Sequence, residues 1–169
     1  MPDNKTVGIR EMQRDLVVMV ILAFVLAAPL NAEDWAQWRG SDRLGIWTES
    51  GILESFPEDG LQIKWRTPVR SGFSGPSVAD GRVFLLDWQE DPLSRTMDGT
   101  ERIVAFDEQT GELLWAHEWE TTYRMLMASY AVGPRSTPTV DGDRVYAVGS
   151  TGRLFCLDVE TGAGIWSKD

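Results

Sequence analysis

The sequence predicts an all-β fold: an incomplete β-propeller of about two four-stranded blades plus a closing strand. Three observations carry this. Two pairs of stretches repeat along the chain, tryptophan recurs with them, and no helical periodicity runs through the sequence after residue 32.

The first pair of matching stretches is residues 76–84 (PSVADGRVF) and 138–146 (PTVDGDRVY). Each reads as a short strand, a glycine-containing turn and a second strand opening with Val83 or Val145. The second pair is residues 107–115 (DEQTGELLW) and 158–166 (DVETGAGIW), which share the pattern D-x-x-T-G-x-x-x-W. Apolar strands at 103–106 and 154–157 lead directly into it. Asp107 and Asp158 are placed to accept backbone N–H groups of the turn, Thr110 and Thr161 add a hydroxyl, and Gly111 and Gly162 supply a positive φ. The chain then reverses into a fourth strand, where Trp115 or Trp166 meets a neighbouring unit. The runs 83–86, 103–106 and 154–157 are continuously apolar, as expected of strands covered on both faces by packed sheets.

Composition agrees with a folded domain. Apolar residues make up 43% of the chain, and there are eight tryptophans, too many large rings to leave in water without a packing role. A formal net charge of −10 without a Lys/Arg-rich run argues against a nucleic-acid partner.

Residues 1–32 stand apart. The stretch 16–30 is apolar except for Pro29, follows Arg10 and Arg14, and is followed by the small residue Ala32, which predicts a secretory signal peptide cleaved after Ala32. The run is shorter than the roughly 20 residues of a membrane span. Translation start at Met1 and start at Met12 both fit. The mature chain is therefore expected to be exported, periplasmic or extracellular, acidic, and without a membrane span. It has one cysteine, Cys156, so no internal disulfide can form within it. Residues 33–62 read as an irregular N-terminal segment and 63–169 as the blades.

The first repeat unit is longer than the second, and the surplus falls around residues 89–100, whose composition predicts a solvated surface hairpin. Its acids Glu90, Asp91, Asp98 and Glu101 lack the alternation of a calcium loop. Trp65, in Ile63-Lys-Trp-Arg-Thr, reads as the tryptophan of a fourth strand with no strands of its own before it, a strand expected to close a ring. Trp88, beside the insertion, is expected to matter less than Trp115.

Ala105, Asp107, Thr110, Gly111 and Trp115 reproduce A-x-D-x-x-T-G-x-x-x-W, which resembles the tryptophan-docking motif of PQQ-like propeller repeats, built like WD40 propellers from four-stranded blades. The second copy keeps Asp158, Thr161, Gly162 and Trp166 and has Cys156 in the alanine position. The opening Asp34-Trp-Ala-Gln-Trp-Arg-Gly and the stretch 72–84 are similar to exported PQQ-like propellers of environmental bacteria. The resemblance implies a ring of about six to eight blades, far more chain than is present, so the sequence is expected to be a fragment. It also implies one of two functions. One is a ligand-binding or protein-interaction scaffold of the BamB type; the other is a quinoprotein alcohol or sugar dehydrogenase holding PQQ with calcium, its catalytic residues in the missing blades. The adjacent cysteine pair and the C-x-x-C-H haem motif frequent in such dehydrogenases are absent from this sequence, and no cofactor or metal ligand set is evident in it.

Residues 130–136 lead into the first strand of the second unit, which should line the central channel, so Tyr130 and Arg135 are the candidate channel-mouth residues. Tyr130 offers a face for a planar group. Arg135 has two readings: it meets an anionic group of a ligand, or it ties blades together through a carboxylate. His117 reads as a partly exposed strand residue, Cys156 as a buried small apolar one, and Met125 and Met127 as packing or a mobile contact surface.

Overall fold

The computed structural model describes residues 32–124 and 132–169, and residues 33–169 form one compact unit. Eight strands lie among them: β1 (Ser77–Ala79), β2 (Arg82–Glu90), β3 (Asp98–Asp107), β4 (Leu113–Thr122), β5 (Thr139–Asp141), β6 (Arg144–Val148), β7 (Leu154–Asp158) and β8 (Gly164–Lys168). They make two four-stranded antiparallel sheets of order β1-β2-β3-β4 and β5-β6-β7-β8, the build of two successive propeller blades.

The two sheets share a register as well as an order. In the first, Ala105 lies opposite Trp115 and the pairing then slips so that Phe106 faces Leu113; in the second, Cys156 lies opposite Trp166 and Leu157 faces Gly164. A β-bulge at the same repeat position turns both fourth strands the same way. The register also explains the small residue before each motif. Ala105 and Cys156 are fully buried directly across from a tryptophan, where a long side chain has no room.

Between the sheets lies one core. Phe84, Leu86, Ile103, Ala105, Trp115 and Trp119 of the first sheet pack with Val145, Ala147, Phe155 and Leu157 of the second. Trp119 and Phe155 are closest, with ring centroids 4.3 Å apart.

The surplus of the first unit is mostly strand. β2 runs on to Glu90 and β3 starts at Asp98, so only the turn between them is irregular, and the solvated hairpin expected from composition is an extension of the sheet. Its acids have local work: Asp98 accepts the hydroxyls of Thr96 (2.6 Å) and Ser94 (3.1 Å), and Asp91 accepts the N–H of Leu93 (2.9 Å). Trp88 is buried at the base of this extension, 4% exposed, with its ring 4.6 Å from Tyr123. That corrects the lesser role expected of it: longer strands give Trp88 an interior, which the hairpin composition did not indicate.

The irregular N-terminal segment is fastened to the inner strands. Trp35 exchanges two backbone hydrogen bonds with Val78 of β1 (2.8 and 3.0 Å), and the next carbonyl, Ala36, accepts the N–H of Val140 of β5 (2.8 Å). One dipeptide thus bridges the innermost strands of both sheets.

Candidate channel-mouth site

The segments entering β1 and β5 run side by side. Phe73 N–H donates to the Pro134 carbonyl (2.8 Å), and the Ser74 hydroxyl donates to the Ser136 carbonyl (2.8 Å). Each serine is also bonded to its own sheet at the same repeat position: Ser74 Oγ accepts Leu86 N–H (3.2 Å), and Ser136 Oγ donates to the Val148 carbonyl (2.5 Å). The backbones touch at Gly133, whose φ is 124° and where a Cβ would fall 2.6 Å from the Gly72 Cα, so only glycine fits.

This places Phe73 and Arg135, which hold the same position in successive repeats, next to each other. The Arg135 guanidinium lies 5.9 Å from the centroid of the Phe73 ring. Both residues are exposed, Phe73 at 58%. Tyr130, the other residue expected here, lies outside the described residues, as do Met125 and Met127. Phe73 was missed from sequence although aligning 73 with 135 across the repeat gives it.

Glu101 is fully buried on β3. Its carboxylate accepts Trp119 Nε1–H (2.9 Å), the Tyr123 hydroxyl (2.5 Å) and, on both oxygens, the N–H of Ser150 (3.1 Å). All of these donors are neutral. Ser150 follows β6, so the carboxylate joins the two sheets. Tyr123 is held protonated: burial first, then its hydrogen bond to Glu101, pushes the phenol far above its ordinary value, and the charge of Arg135 opposes this weakly. A second acid, Asp87 of β2, is 1% exposed and takes a bidentate contact from Arg102 (2.6 and 3.0 Å) and the N–H of Arg70 (2.8 Å).

The docking motifs are where the sequence placed them. Asp107 Oδ1 accepts the N–H groups of Gln109 (2.9 Å) and Thr110 (2.8 Å) and the Thr110 hydroxyl (3.0 Å); Asp158 makes the same set with Glu160 and Thr161 (3.2, 2.8 and 2.7 Å). Trp115 reaches across to the second turn, its Nε1–H donating to the Val159 carbonyl (3.1 Å). Trp65 does the same to the first turn, donating to the Glu108 carbonyl (2.8 Å). The correspondence continues two residues on, where Thr67 Oγ1 donates to the Gly111 carbonyl (2.6 Å) and His117 Nδ1 meets the Gly162 carbonyl (3.2 Å). Residues 65–67 therefore occupy a fourth-strand position against the first blade without being assigned to a strand. His117 is a half-buried contact between sheets, and Cys156 is buried on β7.

Among the described residues no three His, Cys, Asp or Glu side chains gather as a metal site.

A family model described as outer membrane protein assembly factor BamB, built on PQQ-like repeats, matches residues 57–169. The quinohemoprotein alcohol dehydrogenase ADH IIB of Pseudomonas putida is 24% identical over 172 aligned residues, covering 92% of this chain and 23% of that protein. The crystal structure of BamB from Moraxella catarrhalis aligns with 57% of this chain and 24% of its own at 21% identity, with a TM-score of 0.35. The chain thus spans about a quarter of the length of each of these relatives.

Proposed function

Since the chain belongs to the PQQ-like repeat family described as outer membrane protein assembly factor BamB, we propose that it supplies blades to an exported propeller acting as a ligand-binding or protein-interaction scaffold. Phe73 and Arg135 are its contact residues at the channel mouth. The supporting observation is their juxtaposition, an exposed aromatic face beside a guanidinium, which suits a partner carrying carboxylates and aromatic groups. Export rests on the signal-like residues 1–32.

The second reading, a PQQ- and calcium-dependent dehydrogenase, draws on the similarity to the Pseudomonas putida enzyme. The described residues do not fit that cofactor. PQQ is a planar tricarboxylate, and the mouth offers it one guanidinium beside an uncharged ring, while the Glu101 carboxylate is already engaged by neutral donors.

Both readings are tested on the full-length protein. Titration with a glutamate–tyrosine copolymer should show binding weakened about five- to thirtyfold by Arg135→Ala and by Phe73→Ala. Unchanged binding in both variants removes the mouth assignment. Calorimetric titration with PQQ and calcium, alongside a dye-linked alcohol oxidation assay, should show neither saturable sub-micromolar binding nor turnover; both together would establish the dehydrogenase.

A further inference from the structure

Resting on the export reading above, we propose that hydrolysis of the Ala32–Glu33 peptide bond creates an α-ammonium group that docks on the carboxylate of Glu49 and closes residues 33–49 into a loop. The compact unit starts at Glu33, and both Ala32 and Glu33 are exposed, as a scissile bond must be. From Glu33 onward each residue is held. Its N–H donates to Glu49 Oε1, and its own carboxylate accepts the Thr48 hydroxyl (2.8 Å), so Thr48 and Glu49 grip it at both ends. Asp34 Oδ2 accepts the N–H of Asp80 (3.4 Å), and Trp35 pairs with Val78.

Cleavage strengthens this contact without moving an atom of the acceptor. A secretory peptidase adds water across the bond: Ala32 leaves with a carboxylate, and the Glu33 nitrogen, no longer an amide, takes up protons to become an ammonium. The amide offered Glu49 one neutral hydrogen; the ammonium offers three and a full positive charge. Surrounding charges favour it. The adjoining cavity of about 130 Å³ is lined by the acids Glu33, Asp34 and Asp42 and one base, Arg39, which is turned to the Leu44 carbonyl (3.0 Å). Closing the loop anchors the start of the Trp35–Ala36 bridge, so processing would tighten the strap across both inner strands.

The site is exposed, so solvent limits the effect to a modest shift. Competitive acylation of the α-amino group, followed by mass spectrometry across pH, gives its apparent pKa in full-length protein that begins at Glu33. In the native protein that value should lie about half a unit above its value in denaturant, because an opposite charge favours the protonated amine. Glu49→Gln, isosteric at a part-exposed position, should remove most of the difference. No difference in the unsubstituted protein, or a difference that Glu49→Gln leaves undiminished, overturns the latch. The export premise is tested separately by N-terminal sequencing of exported material: a start at Glu33 supports the proposal, and any other start overturns it whatever the titration gives.

Discussion

The indole of Trp115 lies flat on Gly162 of the next sheet, so close that a Cβ on that glycine would fall 2.5 Å from Cε3 and 2.6 Å from Cδ2. Trp65 and Gly111 repeat the relationship with the same two distances. The glycine in the docking motif therefore serves two needs at once, a positive φ of 69° and a bare surface for the neighbouring ring.

Gly162→Ala should accordingly be far more damaging than an ordinary turn substitution. Left-handed backbone costs about 1–2 kcal/mol and overpacking a rigid ring about 1–3 kcal/mol, so a loss of roughly 2–5 kcal/mol is expected. Gly142→Ala is the control, since its φ is also positive at 57° but nothing lies within 4 Å of the added Cβ. Chemical denaturation of the full-length variants decides it: similar losses at both positions would show that the ring contact contributes nothing.

Truncating Trp115 or Trp88 to alanine should cost about 3–5 kcal/mol each. Both are buried, at 8% and 4% exposure, and both contact another aromatic ring: Trp115 lies 5.9 Å from Phe84 and Trp88 lies 4.6 Å from Tyr123. A loss at Trp88 under about 1 kcal/mol, typical of a surface site, would contradict the packed extension.

These residues show where the sequence was legible. The D-x-x-T-G-x-x-x-W turns, the four strands of each unit and the buried Cys156 follow from local chemistry: an acceptor, a hydroxyl and a glycine at fixed spacing define a turn whatever surrounds it. Trp65 was readable from the likeness of Ile63-Lys-Trp-Arg-Thr to the tryptophan-bearing fourth strand. The extension that buries Trp88 was not, because polar strand residues and polar loop residues have the same composition, and only pairing with β4 tells them apart. Glu101 was hidden differently. An acid at the head of an apolar run looks solvated until the fold brings Trp119, Tyr123 and Ser150 around it, and Ser150 lies in the other sheet's unit.

Acid should loosen the docking turns. Asp107 is held below the ordinary carboxylate value of 3.8 mainly by the backbone N–H of Thr110, and Asp158 below the same value mainly by the Thr161 hydroxyl. A depressed folded value means that the unfolded chain binds protons more readily. The contribution of each turn is therefore complete above the unfolded carboxyl value of about 4 and is lost as pH falls through the lower folded value. Asn at either position can accept the same bonds but cannot titrate. Asp107→Asn and Asp158→Asn should each lower the denaturation midpoint at pH 7 and flatten its decline between about pH 5 and pH 2. Equally steep declines in the substituted and unsubstituted proteins would locate the acid sensitivity elsewhere.

The last test asks whether the charge on Glu101 matters or only its shape. Burying a carboxylate without a cation is costly, so removing the charge could in principle stabilise the protein. Against that, both oxygens are occupied, and Trp119 Nε1–H and Ser150 N–H can only donate. In Glu101→Gln the amide oxygen must face these two, which turns the NH₂ toward Tyr123; its hydroxyl can then accept and redirect its own proton to Ser150 Oγ, 2.7 Å away. One arrangement thus survives, with neutral bonds in place of charge-assisted ones, at a cost of about 1–2 kcal/mol. Glu101→Ala offers no such rearrangement: it leaves two donors without an acceptor beside a new cavity, and should cost about 3–5 kcal/mol. Denaturation of both full-length variants should place them in that order. Glu101→Gln equal to or more stable than the unsubstituted protein would mean that desolvation outweighs the hydrogen bonds, and that the carboxylate does not clamp the sheets together.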